Sequence, residues 1–244
     1  MMMKATLMAA AMLYSMAALS QQSVTDEKFT PFYTTEQAPH MERVIPAPPS
    51  LTDARFYDDW TQYQWGCSVR DTERGKQAVA DADLCATYFL ERFGAAVGRD
   101  MKPDAYPELY RLISRLHLTE QQAGASAKQY FHRVRPYQQF HEATSVPKHE
   151  NQQDFTSYPS GHTHVSWLVG LTLTAIDPEH TEQIMKVAYE LGQSRVIVGF
   201  HYQSDVDAGR VMGSVTFARL WADESFQKMF EKARREYVRG GRVK

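Results

Sequence analysis

The sequence predicts an all-α fold, a single-domain helical bundle, on three observations. Leu109, Leu112, Ile113 and Leu116 recur at the spacing that lines one face of a helix with apolar side chains. The run from Val165 to Ile176 is apolar and long enough to be a buried helix. No stretch of useful length alternates apolar and polar residues as a half-buried strand would. Length and composition agree: 244 residues, 43% of them hydrophobic, suffice for one sizeable core. A net charge of −2 offers no polycation, which argues against nucleic acid as a partner.

Taken in chain order, the elements begin with a targeting segment. Lys4 precedes an apolar run from Ala5 to Leu19, and Ala18-Leu19-Ser20 supplies a cleavage site of small residues. This predicts a secretory signal peptide over residues 1–20, with an N-terminal membrane anchor as the alternative. No second stretch approaches the roughly 18 continuous apolar residues of a span. The mature chain is therefore expected off the membrane, in the periplasm or secreted. Residues 21–51 are polar and carry Pro46, Pro48 and Pro49, the composition of an extended N-terminal arm. The helical domain is assigned to residues 52–244. Within it, Thr119 and Gln122 read as a capping box opening the helix that carries Lys128. Asp177-Pro178 reads as an N-cap and first-turn proline for a helix with Ile184, Val187, Ala188 and Leu191 inward. Asp223 opens a last helix with Phe226, Phe230 and Ala233 on one side.

The chemistry is concentrated in three short runs. Ser194-Arg195, five residues, His201, three residues and Asp205 put a cation near an imidazole that has a carboxylate one helical turn further on. A helix beginning there lets Asp205 bond one ring nitrogen and leaves the other free as a nucleophile. Pro159-Ser160-Gly161-His162 supplies a second histidine, and its Ser160 and Gly161 N–H groups should open the apolar helix, where anions bind. Lys128 and Arg135 are seven apart and would share one face of a helix that Pro136 stops. Two histidines, three cations and a glycine turn make a phosphate site.

In this order, Lys-x6-Arg-Pro, Pro-Ser-Gly-His and Ser-Arg-x5-His-x3-Asp resemble the three-part signature of the type 2 phosphatidic acid phosphatase and vanadium haloperoxidase superfamily. Residues 157–163, 192–207 and Asp71 to Lys76 are similar to the class A bacterial nonspecific acid phosphatases, and the likeness runs from about residue 55 to the C-terminus. Thr156 and His164 depart from the usual pattern. The resemblance implies the all-helical fold of these enzymes, with neither metal nor other cofactor, acting on small phosphomonoesters. It also implies roles: His201 as nucleophile with Asp205 fixing its tautomer, His162 as general acid, and Lys128, Arg135, Ser160, Gly161 and Arg195 as the phosphate cradle. The opposed demands on the two imidazoles suit a mildly acidic optimum, near the reference histidine pKa of about 6.5. Phosphotransfer to alcohols or nucleosides would follow from a covalent intermediate. A vanadate-dependent haloperoxidase and a non-catalytic phosphate-binding protein are the alternatives, and monomer against homo-oligomer is left open.

The remaining candidates have plainer readings. His132 should point away from the pocket cations, and His164 should pack rather than react. His117, His141, His149 and His180 have no partner at motif spacing and default to surface or loop, while the stretch between Pro136 and Pro159, with His141, His149, Glu150 and Asp154, is expected to frame the mouth of the pocket. Tyr137, Phe140, Phe155 and Tyr158 flank the motifs and could line the pocket rim or pack in the core. Cys67 and Cys85 could pair only across a break between two helices, since one straight helix would hold them roughly 27 Å apart. The default is two buried free thiols.

Overall fold

The computed structural model describes residues 24–240, so the predicted signal peptide lies outside the described residues. Those residues hold nine α-helices and no strand: α1 Phe56–Ser68, α2 Glu73–Ala80, α3 Ala86–Ala96, α4 Pro107–Phe131, α5 Pro136–Phe140, α6 Gly161–Ile176, α7 Thr181–Ile197, α8 Gln203–Leu220 and α9 Glu224–Val238. Among them no helix is long and apolar enough to cross a membrane.

Helix α6 is the axis of the bundle. Its apolar run has no polar face to offer solvent, so it is wrapped by α4, α7 and α8, with Val165, Leu168, Val169 and Leu173 in the main core. Leu109, Leu112, Ile113 and Leu116 of α4 join them, and α9 closes the far side with Phe226, Phe230 and Ala233. Each fully buried Leu or Phe contributes about 1.5–3 kcal/mol of transfer free energy. Helix α8 approaches the start of α6 very closely. A Cβ on Gly209 would stand 2.7 Å from the Ser160 carbonyl oxygen, so only glycine permits that approach. This contact brings the Ser160 and Asp205 segments together.

The segment from residue 24 to 51 lies along α4 and adds Phe32, Tyr33, Met41 and Ile45 to the core. It is fastened by the Phe32 N–H donating to Thr119 Oγ1 at 2.9 Å and by Arg115 donating to the Thr30 carbonyl at 2.8 Å.

Four local expectations need correction. Helix α4 runs unbroken through Thr119, so no capping box opens there. The Thr119 hydroxyl instead bonds back to the Arg115 carbonyl at 2.7 Å, and Pro107 at the first turn marks the true start. Asp177-Pro178 leads into a short 3-10 turn, Pro178–His180, before α7 begins at Thr181. The side chains expected inward on α7 are nonetheless buried. Helix α4 ends at Phe131, where His132 takes the left-handed conformation, so Lys128 and Arg135 do not share a helix; Arg135 is the extended residue before α5. Pro136 opens a helix rather than closing one. Cys67 and Cys85 are both free, and Cys85 is exposed at the N-cap of α3 rather than buried.

Candidate active site

A cavity of about 660 Å³ opens where the ends of α4, α6 and α7 meet the segments before α5 and α8. Its wall includes Lys128, Arg135, Gly161, His162, Arg195 and His201. Six of the eight predicted site residues therefore converge on one space, and Asp205 and Ser160 lie directly behind it.

His201 is buried at the turn between α7 and α8. Its Nδ1 is 3.2 Å from Asp205 Oδ2, the i,i+4 pair that the spacing predicts, and its Nε2 is 3.1 Å from Arg135 Nη1. With Nδ1–H donated to the carboxylate, Nε2 carries the lone pair on the cavity side. Burial, followed by the charge of Arg135, lowers the His201 pKa to about 3, so the ring is neutral. Burial alone would raise the Asp205 carboxyl. The Arg133 charge and hydrogen bonds from His201 and Ser157 outweigh it and hold Asp205 well below the usual carboxylate range.

The carboxylate is held from four sides. Besides His201, it accepts from Arg133 Nη1 at 2.5 Å, Ser157 Oγ at 2.6 Å and the Tyr202 N–H at 2.9 Å. Arg133 is fixed in turn by Asp59 of α1, whose Oδ2 lies 2.7 Å from Nη2, and by stacking over the Tyr202 ring at 4.0 Å. Asp59 also accepts from the Ser204 N–H and hydroxyl, both at 2.7 Å. Helix α1 thereby reaches His201 through three links.

The cations differ in how they are occupied. Arg135 donates to Asp154 Oδ2 at 2.7 Å and to the Phe200 carbonyl at 3.1 Å. Lys128 Nζ donates to the carbonyls of Thr156 and Pro159, at 3.0 and 2.8 Å. Arg195 is buried over the face of Phe200, and its Nε and Nη1 have no hydrogen-bond acceptor among the described residues. Unpaired buried donors are costly and rare, and here they line a cavity, which is how a protein prepares to receive an anion. Burial, then the charge of Arg135, lowers the Arg195 pKa to about 9 and that of Lys128 below its ordinary value. Proximity of like charge is the strain a phosphate would relieve.

His162, in the first turn of α6, faces His201 across the same space. Its Nε2 is 3.0 Å from the Ala82 carbonyl, so Nε2–H is donated and Nδ1 is the nitrogen left to the cavity. Burial and the Arg195 charge push its pKa well below the ordinary value. Both imidazoles are therefore depressed. This differs from the expectation of one neutral and one protonated ring near the reference pKa, and the cause is burial first, with Arg195 beside His162 and Arg135 and Arg195 beside His201 adding to it. Gly161 lines the cavity as expected, and a Cβ there would meet Glu120 Oε1 at 2.9 Å. Ser160 behaves otherwise. Its N–H donates to the Asp205 carbonyl at 3.0 Å and its hydroxyl caps the helix by accepting from the Thr163 N–H, so it fixes the cradle from behind.

Other readings of single residues divide. His132 is exposed, stacked on Phe155 at 4.8 Å, and His164 is buried with Nε2 2.8 Å from Thr216 Oγ1. His117 and His149, by contrast, line the cavity. Tyr137, Phe140, Phe155 and Tyr158 do not; they pack elsewhere, and Phe200 is the aromatic residue of the wall. Arg133, Asp59 and Glu120 escape the motif reading altogether. Arg133 becomes legible once α4 is known to end at Phe131, because an extended chain puts residues 133 and 135 on one side. Glu120 had a signal: with Gly124 and Lys128 it continues the Leu116 face of α4 at four-residue intervals.

Residues 113–228 match the family model described as the PAP2 superfamily. The chain is similar to a non-specific acid phosphatase of Providencia stuartii, 39% identical over 198 residues that cover 80% of each chain. It is similar to a non-specific acid phosphatase of Salmonella typhi at 39% over 208 residues, covering 84% of this chain and 83% of that one. An acid phosphatase of Zymomonas mobilis is 33% identical over 194 residues, 79% of this chain and 73% of that protein.

Proposed function

The chain belongs to the bacterial non-specific acid phosphatases of the PAP2 superfamily, and on that premise we propose that it cleaves phosphomonoesters through a phosphohistidine on His201. It is a phosphoric monoester hydrolase. The observation that carries the covalent route is the pairing of His201 Nδ1 with Asp205, which leaves Nε2 as a neutral nucleophile beside Arg135.

Lys128, Arg135, the free donors of Arg195 and the Gly161 N–H hold the equatorial oxygens of the phosphoryl group, with Ser160 capping the helix behind them. His201 Nε2 attacks phosphorus in line, forming the P–N bond as the ester P–O bond breaks. The arriving dianion offsets the Arg195 charge, which adds to burial in depressing His162, so its ring can take a proton, and Nδ1 delivers that proton to the leaving alkoxide. In the second step His162 Nδ1 accepts a proton from water as the water oxygen adds to phosphorus and the P–N bond breaks. Asp205 stays ionised throughout and stabilises the charge that forms on His201.

A phosphohistidine open to a cavity of this size can be attacked by alcohols as well as water, so phosphotransfer belongs to the same proposal. With p-nitrophenyl phosphate and excess glycerol, phosphate released is expected to fall below p-nitrophenol released as glycerol rises. A ratio of one at every glycerol concentration would refute the open phosphoenzyme. We further propose export to the periplasm or medium on residues 1–20. N-terminal sequencing of mature protein is expected to begin near Gln21, and Met1 retained on membrane-bound protein would overturn this.

A further inference from the structure

We infer that Glu120 sets the charge selectivity of the phosphate cradle: protonated, it leaves the cations free for an anion, and ionised, it competes with that anion for Lys128. The inference rests on the phosphatase reading and assigns a residue which that mechanism does not use.

The geometry supports it from three directions. Glu120 lines the same cavity wall as Lys128, Arg135 and His162, although only 5% of its surface is exposed. Its Oε1 and Lys128 Cε both meet at Gly161, 2.9 and 3.7 Å from where a Cβ would stand, so the carboxyl abuts the first residue of the anion-binding helix end. Among the described residues, no hydrogen bond reaches this carboxyl. His164 Nδ1 lies 3.6 Å away and is itself buried with no hydrogen-bond partner among the described residues. A carboxylate so placed has little solvent and, among the described residues, no hydrogen-bond donor to hold its charge, and Lys128 is the cation that favours its ionised form.

The groups facing it decide the sign. Lys128 stands on α4, His162 and His164 on α6, and Tyr33 on the arm, with Arg135 and Arg195 across the cavity. Burial keeps His164 neutral and raises the Tyr33 phenol to about 12, so neither carries charge between pH 5 and pH 8. Burial likewise pushes the Glu120 carboxyl up, partly offset by Lys128. A phosphate seated on Lys128 adds negative charge nearby and raises it further. Where free Glu120 is ionised, binding must therefore take up a proton, and by reciprocity the anion binds more weakly as pH rises. This places an acid preference in the binding step, independent of the histidines.

The test is inhibition of p-nitrophenyl phosphate hydrolysis by inorganic phosphate, at pH 5 and pH 8, in the wild type and in Glu120→Gln. Titration of the ligand itself is common to both proteins and cancels between them. The rise in the phosphate inhibition constant from pH 5 to pH 8 is expected to be about tenfold larger in the wild type. Equal rises, or a larger rise in the variant, would overturn the inference. Glu120→Ala removes the same charge beside Gly124 and Gly161, and it reports the same comparison should the glutamine variant not fold. Absence of turnover in the wild type would instead count against the phosphatase reading, so the two failures are distinct.

Discussion

Replacement of His201 by alanine is expected to lower kcat by on the order of 10⁴ to 10⁶, because it removes the nitrogen on which the proposed phosphohistidine forms. The cavity itself should survive. Arg135 keeps its bonds to Asp154 and Phe200, and Lys128 and Arg195 do not touch the His201 ring, so phosphate should still inhibit or bind. Brief incubation with labelled substrate and a neutral quench should label the wild type and leave the variant unlabelled. His162→Ala separates the second role. A nitrophenolate leaves without protonation and an alkoxide does not, so this variant should retain labelling by p-nitrophenyl phosphate while losing far more activity on alkyl phosphates. The difference between those substrates is expected at about 10²–10⁴, the usual contribution of general acid catalysis. Label retained on His201→Ala would mean that the nucleophile is another group, and equal losses on both substrates would remove His162 from the leaving-group side.

The residues that define this chemistry were legible because each sits on a short, local spacing. His201 and Asp205 need only a helix start between them, and His162 needs only the cap at Ser160, so two short runs specify them. Lys128 and Arg135 were found for a reason that the fold does not uphold. Both reach the cavity, yet from a helix and from an extended segment, because α4 ends four residues sooner than the proline suggests. What the motifs could not reveal is the support brought from a distance. Asp59 lies 74 residues before Arg133 and 145 before Ser204, and nothing local in the sequence marks a carboxylate on α1 as their partner. The cavity wall shows the same limit. His117 looks like a surface histidine until α4 is packed beside the cavity, whereas His149 and Asp154 line it from the stretch expected at the pocket mouth. The all-α class needed no such contacts, since the periodicity of α4 and the unbroken apolar run of α6 already demanded a helix wrapped by helices.

Asp205→Asn is the second large effect, and it should be felt in activity and in stability together. An amide cannot accept from His201, Arg133, Ser157 and the Tyr202 N–H at once, because one of its two ends must donate. Two consequences follow from that single change. The His201 tautomer is no longer fixed, so Nε2 is not reliably the bare nitrogen; loss of such an orienting carboxylate lowers turnover on the order of 10⁴-fold. Arg133 also keeps only Asp59 as a charged partner in a buried position, and breaking a buried pair from one side costs about 3–5 kcal/mol. The pH dependence gives this prediction its sign. Asp205 is held below the usual carboxylate range, so its share of stability is fully present above the unfolded pKa of about 3.9 and is lost as pH falls toward the folded value. Wild-type stability should thus decline on acidification below about pH 4, and the asparagine variant, already without that share, should decline less steeply. Urea unfolding at pH 7 and pH 3 measures the two slopes, with single-turnover kinetics measuring the lost rate. A variant within tenfold of wild-type turnover, or one whose stability falls with acid as steeply as the wild type's, would show that Asp205 does not hold His201 and Arg133 in the way these four contacts require.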